Sequence, residues 1–174
     1  MWTRLFALTL LAASAACAAT PREKPIPMGP IETGADSLSA ARKALEGRWA
    51  LESFEMYPAG GEPIRLVGSG TLVYDEFSNL KIEIRTDPET AERLRVAGMQ
   101  TNGGVLSSDG RAALDVQQKT LTYVIPGQPT GAAAAGPLAT NKKRHWQIED
   151  GVLVLTTRDD AGKPTSVGRW KKTQ

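Results

Sequence analysis

The chain is 174 residues long, with 21 Lys and Arg against 19 Asp and Glu, a formal net charge of +2, one histidine and one cysteine. Near-neutrality without a basic stripe interleaved with aromatics argues against a nucleic-acid partner, and a lone cysteine excludes an intramolecular disulfide framework. The one apolar run, from Leu5, falls short of the ~20 residues that span a bilayer as a helix, and no fixed-period repeat or second domain is visible.

Arg4, the apolar residues 5–13 and the small residues up to Ala16 have the order of charge, apolar middle and small-residue end that an export leader requires. Residues 1–16 are therefore assigned to a signal peptide, and an exported, periplasmic or outer-membrane-anchored location follows, with a soluble secreted form as the alternative. Ser14-Ala15-Ala16-Cys17 resembles a bacterial lipobox, in which the cysteine becomes the acylated first residue of the mature protein; it departs from that pattern at Ser14, where Leu, Val or Ile is usual. The resemblance implies a lipid anchor on Cys17 and a membrane as partner. Residues 17–34 carry Pro21, Pro25, Pro27 and Pro30 among charges, which disfavours helix and offers little to pack. That composition predicts a tether.

Residues 35–174 read as one folded domain. Asp36 or Ser37 caps a short helix with Leu38, Ala41, Ala44 and Leu45 on one face and Arg42 and Lys43 on the other, and Gly47 stops it. Strand patterns then follow at residues 49–57, 70–75, 80–85, 105–108, 112–116, 120–125, 144–148, 152–157 and 165–171. The plainest is Leu80-Lys81-Ile82-Glu83-Ile84-Arg85, which sets three aliphatics on one face and three charges on the other. Asp109-Gly110 and Asp150-Gly151 suit two-residue hairpins, and Asp160-Ala161-Gly162 a slightly longer one. Asp87-Pro88-Glu89, followed by Ala91, Leu94 and Arg95 up to Gly98, predicts a second short helix. Residues 127–142, rich in Ala, Gly and Pro, predict a mobile loop. The resulting fold class is all-β: a single antiparallel up-and-down barrel of about eight strands, closed because closure removes exposed edges.

Leu45-Glu46-Gly47-Arg48-Trp49 resembles the opening of bacterial lipocalin-like domains, where a Gly-x-Trp enters the first barrel strand after a short helix. Residues 70–75 are similar to their second strand, Arg144-His145-Trp146-Gln147-Ile148 to a late one, and Gly168-Arg169-Trp170-Lys171 to the closing one. Independently of the family, Gly47 lets the chain turn from helix into strand, and Trp49 is large enough to plug one barrel end. Arg169 or Lys171 is then placed to cover the indole by cation–π contact.

Catalytic chemistry is nearly absent, and the chain reads as a binder rather than an enzyme. His145 is the sole histidine, expected to face outward beside an inward Trp146, so no metal site is assigned and no cofactor is implied. Asp75, Asp109, Asp150 and Asp159 read as turn residues, with Asp159, Asp160 and Glu149 as the one acid set to weigh for a hard cation. Ser107-Ser108-Asp109 is read as part of a hairpin. Alternation points Tyr74, Ile82, Ile84, Leu114, Val116, Leu121, Tyr123 and Trp146 inward, which makes them the candidate lining for a small hydrophobic or amphipathic ligand, with residues 127–142 as a cover. A filled barrel acting as a structural or interaction lipoprotein of the envelope is the alternative.

Overall fold

A computed structural model describes residues 34, 36–99, 101–125, 138–140 and 142–173; the leader, Cys17, nearly all of the tether and residues 126–137 lie outside the described residues. Helix α1, Leu38–Leu45, starts where the Ser37 side chain accepts from the Ala40 N–H at 3.1 Å, satisfying one of the orphan donors of a first turn. It buries Ala41 and Leu45 but leaves Leu38 and Ala44 exposed. Helix α2, Pro88–Val96, is capped by Asp87, whose carboxylate accepts from the Thr90 N–H at 2.6 Å, and buries Leu94 completely.

The strands are β1 (Gly47–Met56), β2 (Ile64–Arg65), β3 (Gly68–Tyr74), β4 (Asn79–Thr86), β5 (Val105–Asp115), β6 (Thr120–Val124), β7 (Lys143–Glu149), β8 (Val152–Arg158) and β9 (Pro164–Thr173). Every pairing is antiparallel, neighbours in sequence pair in space from β3 onward, and β1 closes the ring by pairing with both β3 and β9. The result is an eight-stranded closed barrel, with the two-residue β2 as a short addition on the far half of β1. We call the end nearest α1 the floor and the opposite end, covered by α2 and β2, the far end.

Three features depart from simple alternation. First, Asp109-Gly110 is not a hairpin: it lies inside the continuous β5, with Asp109 opposite Lys81 and Gly110 opposite Leu80. The reason is local crowding, since a Cβ on Gly110 would sit 2.7 Å from the Val124 carbonyl oxygen. Glycine there serves close approach rather than a turn, and Ser107-Ser108-Asp109 is accordingly strand interior. Second, the β1–β9 register shifts between Leu51 and Ser53. The bulge at Glu52 moves the inward set from Trp49 and Leu51 to Phe54 and Met56. Third, β2 carries no sequence signal of its own. The Asp150-Gly151 hairpin is as expected, with φ of 50° and 76°, and Asp159 organises the β8–β9 turn by accepting from the Lys163 N–H at 2.8 Å.

At the floor, Gly47 has φ 128°, which turns the chain from α1 into β1. Trp49 is 1 % exposed and its Nε1 donates to the Leu45 carbonyl at 2.9 Å, so the indole ties the helix end to the barrel. The cation over it is Lys172, with Nζ 5.1 Å from the ring centre, which corrects the expectation of Arg169 or Lys171. Inward positions of β9 recur every second residue through Ser166, Gly168 and Trp170; that parity carries on to Lys172 and leaves Arg169 and Lys171 exposed.

Candidate functional site

The interior is packed almost throughout by aliphatic and aromatic side chains from every wall strand. Polarity breaks this at one level near the far end. Arg144 on β7 pairs opposite Thr157 on β8, and Thr157 opposite Ser166 on β9. All three point inward and are at most 5 % exposed. The Arg144 guanidinium stands 3.8 Å over the centre of the Tyr123 ring. Its Nη2 donates to the Ala139 carbonyl at 2.7 Å and its Nη1 to the Lys142 carbonyl at 3.0 Å, which ties Ala139 and Lys142 to the barrel.

Between these groups lies a void of about 10 Å³, room for about one water. Phe54, Ile82, Leu155 and Leu138 form its apolar side; Tyr123, Arg144, Thr157, Ser166 and Trp170 form its polar side. The Tyr123 hydroxyl and Trp170 Nε1 are fully buried and have no hydrogen-bond partner among the described residues. Unsatisfied buried donors cost about 1–3 kcal/mol each; the Tyr74 hydroxyl and Trp146 Nε1, elsewhere in the barrel, are likewise buried without a partner among the described residues. Burial pushes the Tyr123 hydroxyl up to about 12, against the opposing pull of Arg144, and the ring therefore carries its proton at neutral pH. The Arg144 guanidinium is itself lowered by burial, and remains charged at neutral pH.

Trp170 reaches this level because of Gly168. A Cβ there would lie 2.8 Å from Trp170 Nε1 and 3.1 Å from the Phe54 ring. The missing side chain is the slot in which the indole N–H lies.

Among the described residues, pairing between the wall strands is shortest beside the same level. β5 pairs with β4 over Val105 to Arg111 but with β6 only over Arg111 to Asp115, and β6 pairs with β7 through three residue pairs. Among the described residues, then, the far-end half of β5 has no strand partner on its β6 side. Leu138, the one void-lining side chain that does not stand on a strand, immediately precedes Ala139, whose carbonyl Arg144 holds.

Of the candidate lining residues, Ile82 and Tyr123 line the void. Tyr74, Ile84 and Leu121 are buried core elsewhere in the barrel, and Leu114 packs half-buried against that core. Val116 is not interior, because β5 ends at Asp115; with Trp146 it lines a groove between α1 and β7 at the floor. Sequence reasoning missed Arg144, Thr157, Ser166 and Trp170. The signal for Arg144 was present, since it shares the parity of the inward Trp146 on one strand, while His145 between them is exposed. Glu149 and Asp159 flank opposite ends of β8, so the weighed acid set does not converge; among the described residues no group of three potential metal ligands comes together.

No family model matches the sequence, and no curated protein does either. Among solved structures the chain is similar to a redesigned β-barrel, at 14 % identity with 79 % of this chain and 99 % of the other covered and a TM-score of 0.37. It is also similar to the wild-type fluorescent protein UnaG, at 12 % identity with 75 % and 98 % covered and a TM-score of 0.35.

Proposed function

We propose that the chain is an envelope-located, non-enzymatic binding protein for a small hydrophobic or amphipathic molecule, anchored to a membrane through Cys17 and built as a lipocalin-like barrel. The observation that carries this reading is the polar level itself. In a barrel packed with apolar side chains, Tyr123 and Trp170, each with a buried donor that has no hydrogen-bond partner among the described residues, line one small void together with the polar side chains of Arg144, Thr157 and Ser166 and the loop side chain Leu138. Eight strands make a barrel just wide enough for side chains or for one small ligand. Moving Leu138 outward opens the void without repacking a strand. Leu138 is half-buried, so its displacement costs less than the ~1.5–3 kcal/mol of a fully buried leucine, and apolar burial of the ligand offsets it. The leader pattern and the lipobox-like Cys17 support the location.

A second reading, a filled barrel that serves as an interaction lipoprotein, is favoured by the size of the void, which as it stands admits no organic molecule. Fluorescence separates the two, because Trp170 lines the site. Titrating the mature protein with dodecanoate and with retinol is expected to quench tryptophan emission to saturation at one ligand per chain, with Leu138→Ala binding several-fold more tightly. Absence of saturable quenching by either compound, together with a stoichiometric protein partner recovered from solubilised membranes, overturns the carrier reading.

A further inference from the structure

We infer that the outer wall of the barrel carries a separate site, a groove along β3 that seats a phosphate group; the inference rests neither on the interior void nor on the carrier reading. On β3 the inward Leu72 and Tyr74 are buried, so Ser69, Thr71 and Val73 face outward. These are short side chains, and the outward residues on either side are mostly long: Arg48 on β1 stands opposite Val73, while Lys81, Glu83 and Arg85 on β4 stand opposite Val73, Thr71 and Ser69. A short column between long ones is a groove. Beyond Ala50 and Thr71, β1 leaves β3 and pairs with β2 instead, so Ser69 and Gly70 line the groove with no β1 residue opposite them. The hollow measures about 370 Å³, within the ~300–1,000 Å³ of small-molecule sites. Three cations less the Glu83 carboxylate leave its lining at +2. Glu83 is already engaged by Arg85 at 2.6 Å. The exposed Arg48 and Lys81 form no ion pair among the described residues, although Asp109 on β5 stands opposite Lys81 on the side away from the groove. Cations on both banks therefore lack an anion, with ~10 Å of sheet between their strands. A carboxylate has one charge to share between them, whereas a phosphate monoester carries about −1.5 to −2 at neutral pH and three strong acceptor oxygens. Arg48 offers the planar fork that grips phosphate bidentately and Lys81 a mobile point charge, and the hydroxyls of Ser69 and Thr71 lie on the groove floor as further donors.

The test has two arms, both in the chain carrying Cys17→Ala, which removes the proposed anchor. Glycerol 3-phosphate and acetate are titrated at equal ionic strength, and the same protein is floated with phosphatidylcholine vesicles containing phosphatidic acid. Each arm is repeated with Arg48→Gln, with Lys81→Gln and, as a control for net charge alone, with Lys43→Gln on the exposed side of α1. The unaltered groove is expected to bind glycerol 3-phosphate about tenfold or more tightly than acetate. Arg48→Gln and Lys81→Gln are each expected to lose most of that affinity, and Lys43→Gln none of it. Vesicle binding with the same residue dependence, but without saturable binding of the soluble ester, upholds the site and identifies a phospholipid head group as its source. Binding in neither arm, binding that acetate matches, or binding that Lys43→Gln weakens as much as Lys81→Gln overturns the inference.

Discussion

At the residue scale, the outcome was decided by which side of the wall a charge falls on. Arg144 lies two residues before Trp146 and Arg169 immediately before Trp170, yet Arg144 is 2 % exposed and Arg169 faces solvent. A run such as Lys142-Lys143-Arg144 reads as a solvated face, and for Lys142 and Lys143 it is one. Arg144 differs because strand parity turns it inward, where the Tyr123 ring and two backbone carbonyls receive it. This environment yields a pH prediction. The Tyr123 hydroxyl is raised by burial from about 10 in the unfolded chain to about 12 in the barrel. Between those values the native state holds the proton more tightly than the unfolded state, so stability is complete below pH ~10 and falls as pH rises toward ~12, by about 2–3 kcal/mol in all. Chemical denaturation across that range is expected to show the decline in wild type and its absence in Tyr123→Phe. At pH 7 the same variant removes an unpartnered hydroxyl and is expected to be as stable as wild type or more so.

At the element scale, both helices and eight of the strands were readable, because caps, turn residues and two-residue alternation are local signals. The errors came where a partner strand set the geometry. Asp109-Gly110 has the composition of a hairpin turn, but β4 on one side and the Val124 carbonyl on the other hold it extended. The bulge at Glu52 is likewise a property of the β1–β9 pair and not of β1. Close approach yields a prediction at Gly68, where a Cβ would lie 1.9 Å from the Arg85 carbonyl oxygen. Gly68→Ala must push β3 and β4 apart at their far ends, and a loss of more than about 2 kcal/mol is expected in equilibrium unfolding. Gly34→Ala, at a position with nothing within 4 Å, is the control and is expected to be neutral.

At the scale of the whole molecule, closure is the organising event: β1 pairs with β9 along nearly its full length, joining the first and last strands of the barrel. Closure removes the edges that would invite aggregation and creates an inside, so that a level of polar side chains has somewhere to be enclosed. The floor is sealed by Trp49 under Lys172 and the helix end, and at the opposite end α2 sends Leu94 into the core. The proposed anchor belongs to this scale as well. Metabolic labelling with a radioactive fatty acid is expected to mark the wild-type protein and not Cys17→Ala; equal labelling of both rules out acylation at that cysteine.

Residue pattern alone determined that this chain forms antiparallel strands closed into a barrel, with a tryptophan at its floor, because period, capping and turn chemistry act over a few neighbours and need no distant partner. It also reached Ile82 and Tyr123, two inward residues of the candidate site. Only tertiary structure decided that the interior is nearly filled, that Lys172 rather than Arg169 covers Trp49, and that Arg144, Thr157, Ser166 and Trp170 meet at one level. Those outcomes depend on register between strands far apart in sequence and on the volume left when their side chains meet, and neither quantity is encoded in any single stretch of residues.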